Sequence, residues 1–116
     1  MGGRGMRRKR IYISIPISGY DLEEVKAKAR DISERLLWDV FELKKGCHRP
    51  DVITPFDVCP EPDKPYSYYM GKDIEALLEC DTVYFCKGFQ NSKGCMAEFE
   101  IARIYGKQII FEYKQQ

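Results

Sequence analysis

The chain has one histidine, no Cys-x-x-Cys pair, no long apolar run and no internal repeat in its 116 residues. Its five cysteines stand at 47, 59, 80, 86 and 95. An odd count without close pairs fits reduced thiols inside a cell better than a disulfide framework. Cys47, His48 and Cys59 are the one grouping that suggests a metal, and neither their spacing nor their number matches a zinc pattern. No stretch reaches the roughly 18 apolar residues that span a membrane. The apolar run at 11–17 is short and interrupted by Ser14 and Pro16, so no signal peptide is expected and the cytoplasm is the default location. Met6 stands where a myristoylation signal needs Ser or Thr.

What is present is the composition of an ordinary soluble domain, long enough to bury a core without metal or disulfide staples. The formal charge of +1 is unevenly placed. Arg4, Arg7, Arg8, Lys9 and Arg10 carry five of the 19 positive charges, which leaves 14 positive against 18 negative in the remainder. Residues 1–10 read as a flexible basic tail, with a nucleic-acid or localisation patch as the other reading. Residues 11–116 read as one mildly acidic domain, which argues against a nucleic-acid-binding face.

Along the chain, residues 11–15 alternate and are rich in β-branched residues, predicting a strand. Pro16 and Gly19 open a loop. Asp21 with Glu24 resembles a capping box. Leu22, Val25, Ala29, Ile32, Leu36, Val40 and Leu43 then recur at helical spacing, with a stop near Gly46. Trp38 is packing or partly exposed surface. Residues 51–54 predict a short strand. Residues 55–67 hold Pro55, Pro60, Pro62 and Pro65 and read as a loop, either a binding loop or a plain connection. Residues 66–79 predict a helix with Met70, Ile74, Leu77 and Leu78 as its buried stripe. A strand at 82–86, a loop from Gly88 to Ser92, a helix from about Gly94 to Tyr105 and a strand at 108–111 complete the pattern. The alternation predicts an α/β fold: a small Rossmann-like three-layer sandwich with a mostly parallel sheet of four to five strands.

In such a sheet the carboxyl ends of the strands share one edge, where ligands bind. Three segments meet there: residues 14–21, the Pro-rich loop, and residues 88–98. Ser18, Gly19, Ser92 and Gly94 offer hydroxyls and small residues suited to polar or anionic ligands. The segment Ser92-Lys93-Gly94-Cys95-Met96-Ala97-Glu98 follows the predicted strand at 82–86. It places Glu98 about one turn into a helix, near its positive end. A carboxylate there can serve as nucleophile or base; it can equally be a solvated helix residue. Asp73 falls mid-helix, where solvent exposure is the commoner fate of a carboxylate. Ser92 can be a helix cap, and Tyr12 can point to either face of its strand.

Three groups of residues then match a known pattern: Ile11-Tyr12-Ile13-Ser14 with Pro16 and Gly19; Asp73-Ile74 with Leu77 and Cys80-Asp81; and Ser92-Lys93-Gly94-Cys95 with Glu98 and Ala102. In this order the chain resembles the nucleoside 2-deoxyribosyltransferase superfamily, including the 2′-deoxynucleoside 5′-phosphate N-hydrolases, and within it the small DUF4406 proteins. The resemblance implies cleavage or transfer of an N-glycosidic bond on a 2′-deoxynucleoside or its 5′-monophosphate. A catalytically inactive nucleotide-binding module of the same fold is the alternative. It implies Glu98 as the nucleophile that attacks the anomeric carbon, Asp73 as a carboxylate at the base end, and Tyr12 beside the nucleophile. Ser14, Pro16, Ser18, Gly19, Ser92 and Gly94 are implied substrate contacts. Ser92 stands where the transferases carry Asp and the monophosphate hydrolases carry Ser. The phosphate-binding Ser-Ile-Arg of those hydrolases is Pro16-Ile17-Ser18 here, leaving Lys93 and the tail as the nearest cations. No metal or organic cofactor is implied. The implied partners are a small nucleoside or nucleotide and further copies of the chain as a homodimer or higher oligomer, with no membrane and no nucleic acid.

Overall fold

The structure is a computed structural model. It describes residues 9–43 and 50–112, with side chains at all of these but 38–43. Most of the basic tail, the Cys47-His48 pair, Gly46 and the packing of Trp38, Val40 and Leu43 lie outside the described residues.

The elements run β1 (Arg10–Ser14), α1 (Leu22–Leu43), β2 (Asp51–Ile53), α2 (Pro55–Val58), α3 (Tyr66–Leu78), β3 (Thr82–Phe85), a 3-10 turn at Phe89–Asn91, α4 (Lys93–Ile104) and β4 (Gln108–Phe111). The strands lie in the order β2-β1-β3-β4, and every pairing is parallel. The fold is therefore the expected α/β sandwich, with four parallel strands among the described residues.

Period-two alternation divides the core between the two faces of the sheet. Ile11, Ile13 and Ile15 pack with Val25, Ala29 and Ile32 of α1. Tyr12, Val83 and Phe85 pack on the opposite face with Leu77, Cys80 and Ala102. The apolar isoleucines thus claim the α1 side, and Tyr12 and Ser14 turn toward α3 and α4. Asp21 caps α1, its Oδ2 accepting the Glu24 amide at 3.1 Å.

At the amino edge of the sheet, Asp81 sets the register between β1 and β3. Its Oδ2 accepts the Arg10 amide at 2.9 Å, and its own amide donates to the Arg10 carbonyl at 2.9 Å. Lys9 Nζ reaches Gln108 Oε1 at 3.0 Å on the same edge.

Two expectations change. The buried stripe of α3 is rotated: Leu78 is exposed, while Asp73 is buried beside Leu77 on the inward face. Asp73 and Leu77 stand four residues apart, so they share one side of the helix. The start of the Pro-rich loop is helical as well. Thr54 and Asp57 form a reciprocal capping box with Pro55 at the first helical position, and this closes α2. No helix among the described residues is long and apolar enough to cross a membrane.

Candidate active site

The strand order reverses between β1 and β3, since β2 lies on one side of β1 and β3 with β4 on the other. The crevice at the carboxyl ends of such strands is the binding place of open α/β sheets. A cleft of about 790 Å³ opens there, within the usual range for a small-molecule site.

Glu98 is the innermost charged group of its wall. It is only 4% exposed. Its Oε1 accepts the Ser14 hydroxyl at 2.6 Å, and its Oε2 accepts the Tyr12 hydroxyl at 3.0 Å. Both donors come from the face of β1 that looks toward α4. Ser92 caps α4, its hydroxyl oxygen accepting the Cys95 amide at 3.2 Å. That cap starts the helix so that Glu98 falls about a turn and a half from its first residue, against the end of β1.

Asp73 reaches the cleft from α3. It is buried, and its Oδ1 has no partner among the described residues. An unpaired carboxylate away from water is costly in its charged form, and burial pushes Asp73 up to about 7. Glu98 also rises to about 7. There burial dominates, Asp73 adds repulsion, and the Ser14 and Tyr12 hydroxyls act in the opposite direction. Tyr12 itself is held well above its ordinary value by burial and by Glu98, so it remains a donor. Two carboxyl groups that titrate together near neutrality share their protons as a pair.

The pair has a consequence for stability. In an unfolded chain these groups would titrate near 4, so the folded state holds more protons between about pH 4 and pH 7. Their contribution is fully present below the unfolded values and is lost as the pH rises through 7. Asp73→Asn removes the Asp73 share of that loss. Thermal unfolding should show the variant more stable than the parent by about 5 °C or more near pH 8, with little difference near pH 4. Equal differences at both pH values would contradict a buried, unpaired Asp73.

The remaining expected contacts are placed as follows. Pro16, Ser18, Ser92 and Gly94 line the cleft. Ser14 and Tyr12 lie behind Glu98 and act on it rather than on the open space. Gly19 does not line the cleft. The Tyr20 amide donates to the Ile17 carbonyl at 3.1 Å, and Gly19 at φ +88° supplies the left-handed position that a type II turn needs. Gly94 permits a close approach of α4 to α3, since a Cβ there would meet Tyr66 Oη at 3.2 Å and Met70 Sδ at 3.6 Å.

The cleft also contains Lys26 and Tyr69, which lie outside the three expected segments, and Phe56, Cys59, Tyr66 and Cys95, which lie within them but carried no signal of their own. Tyr66, Tyr69 and Asp73 recur at helical spacing, so an inward Asp73 brings the two tyrosines to the same side of α3. Burial raises the thiols of Cys59 and Cys95, which keeps both neutral. Among the described residues no group of three metal-ligating side chains stands together.

A family model described as a domain of unknown function, DUF4406, matches residues 9–111. No curated protein matches the sequence. Among solved structures the chain is similar to a CMP N-glycosidase of Clostridium botulinum, at 19% identity and a TM-score of 0.53, over 91% of this chain and 75% of that one. It is also similar to a 2-deoxyribosyltransferase of the psychrotolerant bacterium Bacillus psychrosaccharolyticus, at 16% identity and a TM-score of 0.60, over 92% of this chain and 77% of that one. At such identities the likeness is one of fold. The family match takes in every strand and helix described above, and the chain belongs to the DUF4406 family, built on the nucleoside deoxyribosyltransferase fold.

Proposed function

We propose that this protein cleaves or transfers the N-glycosidic bond of a 2′-deoxynucleoside or its 5′-monophosphate, with Glu98 as nucleophile. The observation that carries the reading is the Glu98 carboxylate, buried between the Tyr12 and Ser14 hydroxyls with an edge on the cleft and Asp73 on the neighbouring helix. The two similar folds, whose names describe a CMP N-glycosidase and a 2-deoxyribosyltransferase, support N-glycosidic chemistry on nucleosides and nucleotides in general.

Breaking a C1′–N bond develops positive charge on the sugar, which a nearby carboxylate stabilises or captures. One Glu98 oxygen bonds to C1′ as the C1′–N electron pair leaves with the base. Each oxygen keeps a lone pair beyond the hydrogen bond it accepts. Asp73, near neutrality in its titration, holds a proton for the departing base nitrogen. Water then attacks C1′, the Glu98 ester breaks, and the water proton passes to Asp73. A second base in place of water gives transfer. Tyr12 and Ser14 position the carboxylate and receive it back after each cycle.

This division of labour needs Glu98 ionised and Asp73 protonated. The pH profile of kcat/KM is therefore expected to be a bell centred near 7, both limbs belonging to the coupled Glu98–Asp73 pair. Initial rates from about pH 5 to about pH 9 check it; a flat profile would contradict the pairing.

One observation favours a second reading, a binding module without turnover. Ser92 stands where the transferases carry Asp, and its hydroxyl oxygen is engaged in the helix cap. Chromatography of free base after incubation with 2′-deoxynucleosides and their 5′-monophosphates separates the two. Base released by the parent and not by Glu98→Ala supports the enzyme. Ligand-induced thermal stabilisation without product supports the module. Preference within the panel shows whether Ser92 and Lys93 suffice for a phosphate without an arginine in the first loop.

A further inference from the structure

The wall of the cleft between α2 and α3 has an unusual construction. Pro60, Glu61, Pro62 and Asp63 all face the cleft. Prolines have no N–H, so this stretch has few backbone donors with which to anchor itself. Its root is fixed by the Thr54–Asp57 capping box of α2. Asp63 sits at φ +61°, a left-handed conformation that a non-glycine residue keeps only when its surroundings hold it.

Among the described residues, the backbone hydrogen bonds from Pro60–Lys64 to the rest of the chain are made through one side chain. Tyr69 donates its hydroxyl to the Glu61 carbonyl at 2.7 Å. The same oxygen accepts the Lys64 amide at 3.1 Å. Tyr69 lies on α3 one turn before Asp73 and itself lines the cleft. Its ring stands edge-on to Tyr68 at 5.7 Å, and the Lys64 ammonium lies 5.4 Å from the centre of the Tyr68 ring.

We infer that Tyr69 is a positioning residue: its hydroxyl clasps the Pro-rich loop onto α3 and thereby sets the wall against which the substrate rests, at a fixed distance from Asp73. The inference builds on the cleft being the nucleoside site. The donor and acceptor capacities of the hydroxyl are both used, and phenylalanine replaces neither while keeping the ring.

The test compares Tyr69→Phe with the parent and with Tyr68→Phe, whose hydroxyl makes no hydrogen bond among the described residues. Amide hydrogen exchange at Lys64 should be about tenfold faster in Tyr69→Phe alone. In base release, KM should rise about five- to tenfold, the factor carried by one ordinary hydrogen bond, with kcat changed less than about twofold. Unchanged exchange at Lys64 would overturn the clasp. Faster exchange with an unchanged KM would overturn its role in positioning substrate. A parent enzyme that releases no base refutes the proposed reaction instead, and Lys64 exchange then decides the clasp alone.

Discussion

Glu98→Gln is expected to lower base release by about a thousandfold or more while the protein stays folded. The nucleophile of a covalent mechanism is not replaced by its neutral isostere, and losses of this size or larger accompany removal of such a group. The argument for an intact fold is local. Glutamine has nearly the same shape, its carbonyl can accept the Ser14 hydroxyl, and its amide can donate to Tyr12, which then serves as acceptor. The parent buries a carboxylate that burial pushes up to about 7, so the variant sheds an unfavourable charge. Its melting temperature should equal or exceed that of the parent above pH 7. Rates from chromatography and unfolding curves on the same preparations check both halves. Retained turnover would remove Glu98 from the chemistry; a lost fold would make its role structural.

Phe85→Ala is expected to cost about 3–5 kcal/mol of stability, a large share of the ~5–15 kcal/mol typical of a domain. Phe85 is fully buried at the end of β3. Its ring centre lies 5.2 Å from Phe89, 5.5 Å from Phe99 and 6.1 Å from Phe111. Phe99 follows Glu98 on α4, and Phe85 pairs in register with Ser14. The cluster therefore docks the helix that carries Glu98 onto the strand that carries its hydroxyl partner. Urea unfolding of Phe85→Ala should show the loss, with Phe111→Ala, at the half-exposed rim, costing much less. A loss below about 1 kcal/mol for Phe85→Ala would mean that other contacts dock α4.

Much of this architecture is legible in the sequence because the periodicities are clean. The last strand falls on residues 108–111 as the apolar pattern predicts, and the limits of β1, β2, α3, β3 and α4 agree to within about a residue, as frayed ends do. Glu98 is legible as a candidate from its place after a strand, a turn and a helix start. What the pattern leaves open is direction. Tyr12 can face either way until Ile11, Ile13 and Ile15 are seen to pack on α1, which leaves Tyr12 and Ser14 to Glu98. Asp73 reads as a surface residue by type, and only the packing of α3 shows it buried without a partner on Oδ1. The helix at Pro55–Val58 carried a local signal, Thr54 with Pro55 and Asp57, that the density of prolines obscured. The Tyr69 clasp carries no local signal, because it joins a helix to a loop through one hydroxyl.

The central claim is that Glu98 becomes bonded to the sugar during turnover. The most direct measurement is mass spectrometry of the protein quenched in acid during steady-state base release, followed by digestion. The account predicts a sugar-sized mass increment on the peptide containing Glu98, absent in Glu98→Gln. Turnover with no adduct on that peptide, or with an adduct on a different residue, would contradict it.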